Sequence, residues 1–144
     1  MKKVISVFVL FFTLISCNPK EVDGIIIGNN LEYKDNFENK ISDLIKLTLQ
    51  KDQNALRKLK NYSCQGGASC YNLGYVITQI IYKLGEIEFI SIIDNLDKKE
   101  LFGIEGLIEV GLKYGDNNYD GKMDNRKFEN EFPNLKKVLS IKNI

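Results

Sequence analysis

Residues 71–84 read YNLGYVITQIIYKL, and their spacing decides the fold. Leu73, Val76, Ile77, Ile80, Ile81 and Leu84 recur at intervals of three and four, which places them on one stripe of a 3.6-residue helix. Tyr71, Tyr75 and Tyr82 widen that apolar surface. The helix is therefore expected at the centre of the molecule, beginning at Ser69 or Tyr71. Gly85 supplies its stop.

The same periodicity extends in both directions. On the N-terminal side a helix is expected over 36–50, with Phe37, Ile41, Leu44, Ile45 and Leu49 on one face and Asp35 with Glu38 as a capping pair. A shorter helix after Asp52 carries Ala55, Leu56, Leu59 and Tyr62. On the C-terminal side Phe89, Ile90, Ile93 and Leu96 define a helix over 86–96. Asp97, with Glu100 three residues on, caps the next, which presents Leu101, Ile104, Leu107, Ile108 and Leu112. Gly103, Gly106 and Gly111 cost that helix about 1 kcal/mol each relative to alanine; they are expected to allow close approach of a neighbouring helix, the commoner reason for such residues, or to leave room for a partner. A short helix over 125–132 and a last one opened by Pro133, with Leu135, Val138 and Leu139, complete the series. Helices joined by short connections predict an all-α fold, a small helical bundle or stacked helical hairpins, carrying one disulfide.

The chain begins MKKVISVFVLFFTLISCN. Lys2 and Lys3 precede an apolar run from Val4 to Ile15, about a dozen residues, against the ~20 that a spanning helix needs. The run ends Leu14-Ile15-Ser16-Cys17, which resembles the lipobox of bacterial lipoproteins. The resemblance covers the first seventeen or so residues and concerns address, not activity. It implies that the sulfur of Cys17 is acylated, that the chain is cut before it, and that the new amino terminus is acylated too. Membrane lipid, through acylated Cys17, is then a partner, and several acyl chains at about 0.8 kcal/mol per buried methylene hold the protein on a bilayer. Residues 1–16 are read as the signal peptide, 17–35 as lipidated N-terminus and tether, and 36–144 as the helical domain; Ile25, Ile26 and Ile27 interrupt the tether and are expected to pack back onto the body as a short extended segment. Asn18, in place of the aspartate that retains such proteins at the inner membrane, favours the outer membrane. The abundance of Lys, Asn and Ile resembles small lipoproteins of the Bacteroidetes.

Removing residues 1–16, which hold two of the 20 basic residues and none of the 19 acidic ones, leaves 128 of the 144 residues. That length suffices for one domain with a true core. Charge is near balance and no like-charge run stands out, so nucleic acid is not an expected partner. Histidine is absent, which removes the commonest general base, the Ser-His and Cys-His pairs and His-ligated zinc. Tryptophan is absent too, so no tryptophan platform for sugars exists.

Cys64 and Cys70 lie in CQGGASC. Outside the cytoplasm such a pair oxidises, and closing so small a ring is worth about 2–2.5 kcal/mol in the loop-entropy picture. Redox motifs usually separate their cysteines by two residues, and no further cysteine or histidine completes a metal site, so a structural disulfide is expected.

Between the last long helix and the C-terminal pair lies YGDNNYDGKMD, residues 114–124. Counted from Asp116, it resembles the EF-hand loop: Asp116, Asn118 and Asp120 at positions one, three and five, Gly121 at six, the Lys122 carbonyl at seven and Asp124 at nine. Hard calcium takes oxygen ligands, alternate residues of a tight loop point inward, and glycine permits the bend. Position twelve departs from the family: Lys127 replaces the bidentate glutamate, and no second loop pairs with this one. A weak structural calcium site, in the ~10⁻⁴–10⁻³ M class, is one expectation. The other is an Asx-rich turn in which Asp124 caps the exit helix.

Three functions follow as expectations. The first is a non-catalytic, membrane-anchored module of the cell envelope that binds another envelope protein, with an immunity-type protein against a secreted toxin as its specific form. The alternative is a carboxylate-dependent envelope hydrolase using residues such as Glu86, Glu105 and Glu109. The third is a mainly structural role at the membrane surface, with calcium bracing the domain.

Overall fold

The computed structural model describes residues 20–28, 31, 40–62 and 67–142. Among these residues two short strands, β1 (Lys20–Val22) and β2 (Ile25–Ile27), precede seven helices: α1 (Ile41–Leu49), α2 (Gln53–Lys60), α3 (Ala68–Leu84), α4 (Glu86–Ile93), α5 (Lys98–Tyr114), α6 (Phe128–Glu131) and α7 (Pro133–Lys142). The protein is thus mostly helical. Among the described residues no helix is long and apolar enough to cross a membrane.

Local chemistry starts and stops the helices. Asp52 accepts from the N–H groups of Asn54 and Ala55 at 2.8 and 3.0 Å and opens α2. Asp97 accepts from the Glu100 N–H at 2.7 Å while Glu100 accepts from the Asp97 N–H at 3.1 Å, a reciprocal cap for α5. Gly85, with φ +85° and ψ 155°, both closes α3 and opens α4, a backbone state that a side chain disfavours. The start of α7 is capped from a distance: the Glu86 carboxylate accepts from the Leu135 N–H at 2.8 Å and from the Asn134 amide at 3.2 Å. Lys142 at the far end of α7 meets Asp94 at 2.7 Å, so α4 and α7 run side by side in the same direction.

As expected, α3 lies in the core, with Val76, Ile77, Ile80 and Ile81 fully buried, and it packs against α5, β2 and α1. Its tightest neighbour is α5. A Cβ on Gly111 would sit 2.2 Å from the Gly74 carbonyl oxygen, and one on Gly74 would sit 2.5 Å from the Leu107 oxygen. The two helices therefore meet backbone to backbone. Of the three glycines of α5, Gly111 makes this approach, Gly103 faces only the Lys60 side chain at 3.5 Å, and Gly106 faces open space.

The fold is mostly helical as expected, and β1 and β2 add a small antiparallel hairpin to it, with Lys20 opposite Ile27 and Val22 opposite Ile25. Within 17–35, Val22, Ile25, Ile27 and Leu31 are buried core residues. The strands are joined by a two-residue turn, Asp23-Gly24, with φ values of +49° and +79°, the geometry that Asp-Gly favours in hairpins. Several expectations need correction. The fourth helix ends at Ile93, not Leu96, and the sixth is confined to Phe128–Glu131. Tyr71 and Tyr82 are 43% and 40% exposed instead of buried. Residues 36–39 of the first expected helix, with Phe37 and the Asp35–Glu38 cap, lie outside the described residues, as do Cys17 and Cys64. Cys70, in the first turn of α3, is disulfide-bonded.

Gln79 fastens the middle of the hairpin to α3. Gln79, 4% exposed, accepts from the Ile26 N–H at 2.8 Å and donates to the Ile26 carbonyl at 3.0 Å. Replacing Gln79 by leucine strands both backbone groups, and a stability loss of about 2 kcal/mol is expected, measured by denaturant titration. A loss no larger than that of an exposed substitution on α5 would show the hairpin to be held by its apolar residues alone.

Candidate functional site

The loop 115–127 is built on the paired glycine helices. Gly115 admits no side chain, since a Cβ there would lie 2.3 Å from the Gly111 oxygen and 2.7 Å from the Tyr75 ring. From that point the chain runs along α3. The Tyr75 hydroxyl donates to the Asp116 carbonyl at 2.7 Å, the Thr78 hydroxyl to Asn117 Oδ1 at 2.9 Å, and the Asn117 amide to the Gly111 carbonyl at 3.2 Å. Burial pushes the Tyr75 phenol well above the usual tyrosine range, with the nearby Tyr119, Asp116 and Asp124 adding to the shift. The chain then returns to the end of α5: the N–H groups of Asp124, Asn125 and Arg126 donate to the carbonyls of Gly115, Lys113 and Leu112 at 2.9, 3.1 and 2.9 Å. These bonds satisfy acceptors that a helix C-terminus leaves open.

The acidic side chains of the loop are turned onto its own backbone. Asp116 accepts from the N–H groups of Asp120 and Gly121 at 2.8 and 2.9 Å, Asn118 from Asp120 at 3.3 Å, and Asp120 from Lys122 at 2.9 Å. Asp124 points inward. Its side chain is 2% exposed, accepts from the Asn117 N–H at 2.6 Å and pairs with Arg126 Nε at 3.2 Å. It does not cap the exit helix, whose N-cap is Lys127 with no side-chain bond. Among the described residues no group of three or more Asp, Glu, Cys or His side chains is gathered so as to hold a metal ion.

Arg126 extends the network outward. Its guanidinium donates to Glu131 at 3.1 Å and to the Tyr82 hydroxyl at 3.2 Å, and lies 5.9 Å from the Tyr82 ring centroid. Tyr82 also donates to Glu131, and burial followed by that carboxylate raises its phenol above the ordinary range. No local pattern marks the roles of Tyr75, Thr78 and Gln79, whose partners on the loop or hairpin lie 41, 39 and 53 residues away; Arg126 is close to Asp124 in the chain, but their pairing depends on the path of the loop.

Beside this network a cleft of about 380 Å³ opens between the hairpin turn, the second half of α3 and the loop, lined by Gly24, Gln79, Tyr82, Lys83, Asn117 and Tyr119 among others. Lys83 stands at the hairpin end and donates to the Asp23 carbonyl. Tyr119 is 60% exposed and has φ +61°, an unusual backbone state for a bulky residue. A second opening of about 330 Å³ lies on the other side of the loop, between Glu109, Lys113, Lys127 and Glu129.

The carboxylates considered for hydrolysis have structural partners. Glu86 caps α7. Glu105 and Glu109, one turn apart on α5, both meet Lys136, at 2.8 and 3.2 Å, and their hydrogen bonds raise its ammonium above the ordinary lysine range.

Comparison with protein-family models, with curated proteins and with solved structures returns no match for this chain.

Proposed function

We propose that the protein is a lipid-anchored, non-catalytic domain of the bacterial cell envelope, and that it binds another envelope protein at the cleft between the hairpin turn and the loop. The observation that carries this reading is Leu14-Ile15-Ser16-Cys17, closing a charged start and a twelve-residue apolar run. Two further features support it. The chain holds no histidine, and the carboxylates of α4 and α5 are engaged in a helix cap and a shared ion pair. Tyr119, by contrast, is held outward beside Tyr82, an amphipathic pair of the kind enriched at protein interfaces.

In this reading Cys64 is the disulfide partner of Cys70, because Cys17 carries the lipid and the sequence contains three cysteines. The loop acts as a brace closed by its own carboxylates, with Arg126 as the cation that Asp124 requires. The outer membrane is the proposed location, on the strength of Asn18.

The test is fractionation of cells producing the full chain. The native protein is expected in the membrane fraction, with a mass showing cleavage before Cys17 and acyl groups on it. The Cys17→Ala variant is expected to lose membrane attachment. A photocrosslinker replacing Tyr119 should trap an envelope protein, whereas one replacing Phe102, 74% exposed on α5, should not. Native, unmodified, full-length chain in the cytosol would overturn the anchor. Equal crosslinking from both positions would overturn the cleft.

A further inference from the structure

We infer that the end of the molecule bearing Tyr71, Tyr114 and Lys113 rests on the lipid surface, in a fixed orientation that turns the cleft away from the membrane. The inference depends on the proposed acylation of Cys17. It deepens that reading by naming the surface that meets the bilayer.

Chain length is the first premise. Cys17 and Lys20, the first residue of β1, are three residues apart, and three extended residues reach about 10 Å. A lipid on Cys17 therefore holds the open end of the hairpin at the bilayer, not at the end of a long leash.

The second premise is the direction of the hairpin along α3. Its turn lies at the C-terminal end of that helix, where Lys83 reaches the Asp23 carbonyl. Its middle is at Gln79, through Ile26. Its open end lies towards the N-terminal end, where a Cβ on Gly28 would meet the Asn72 side chain at 2.2 Å, and Lys20 pairs with Ile27 beside it. From Asn72 to Lys83 the helix rises about 16 Å. The lipid and the cleft are thus at opposite ends of α3.

At the lipid end the surface suits a bilayer interface. Tyr71, 43% exposed, stacks on Tyr114 with ring centroids 4.5 Å apart, and the Lys113 ammonium lies 5.1 Å from the Tyr114 centroid. Tyrosines place an apolar ring among acyl chains and a hydroxyl among headgroups, and a neighbouring lysine extends its amine to the polar layer. No other stacked tyrosine pair occurs among the described residues.

The absence of tryptophan gives a direct test. Tyr71→Trp, Tyr114→Trp and Tyr119→Trp are each made in the full-length lipoprotein, purified by flotation, and placed in phosphatidylcholine vesicles with or without brominated acyl chains. The expected result is a blue-shifted emission and a several-fold loss of intensity on bromination for the reporters at 71 and 114, and neither change at 119. If the protein floats with vesicles but all three reporters are unquenched, or all three are quenched alike, the orientation is wrong while the anchor stands. If mass spectrometry finds no lipid and the protein does not float, the anchor fails, and the orientation with it.

Discussion

Gly111→Ala is expected to cost about 3 kcal/mol or more, enough to take a large part of the stability of a domain this size. The added methyl would lie 2.2 Å from the Gly74 oxygen and 2.7 Å from Thr78 Cγ2. The first of these neighbours is backbone and cannot step aside by changing rotamer. Relief requires α3 and α5 to separate, which opens a gap along the most buried seam of the protein. Gly106→Ala, on the same helix and facing open space, should instead raise stability by about 0.5–1 kcal/mol through helix propensity. Urea titrations of the two variants give the comparison. Similar values for both would mean that the helices are not in backbone contact, and would remove the platform on which the loop is built.

The second large effect is at Asp124. Its carboxylate is nearly inaccessible and serves both the Asn117 N–H and Arg126. Asp124→Ala leaves a buried donor without its acceptor and removes one partner of a guanidinium that is itself 27% exposed, so a loss of about 2–3 kcal/mol is expected. Asp124→Asn keeps an acceptor oxygen and should cost about half as much. The same variants separate the brace from a calcium site. An ion bound in the 10⁻⁴–10⁻³ M class would add about 0.4–1.4 kcal/mol at ~1 mM calcium and raise the melting temperature by a few degrees. The expected melts of the native protein in calcium and in chelator coincide. A rise in calcium that Asp116→Asn and Asp120→Asn both erase would assign the ion and overturn the brace.

The helices were legible because their signals are local. Asp52, the Asp97–Glu100 pair and Pro133 sit where a cap or a start should be, and the stripe of α3 identifies its buried face without reference to any neighbour. Of the hairpin, Ile25–Ile27 were read as an extended segment packed on the body, but β1 and the pairing were missed although the signal was present, as Asp23-Gly24 between KEV and III. Three-residue strands are too short to be stable alone, and their support comes from Gln79, 53 residues away. The loop was found, with an Asx-rich turn as one of its two readings, but the role of Asp124 was not. The loop's acidic spacing suits a cation from outside, and only the folded chain reveals that Arg126 reaches Asp124 and that the remaining carboxylates close the turn. The exposed tyrosines failed for the same reason: a helical stripe tells which side faces in, not how far around the helix its neighbours extend.

Gln79 has one more consequence. A hairpin in a helical protein presents a strip of peptide groups that another chain could copy, and such strips seed fibrils. At Ile26 the primary amide takes both the donor and the acceptor that an incoming strand would use. A side chain thus imitates a third strand one residue long, and the sheet stops growing there.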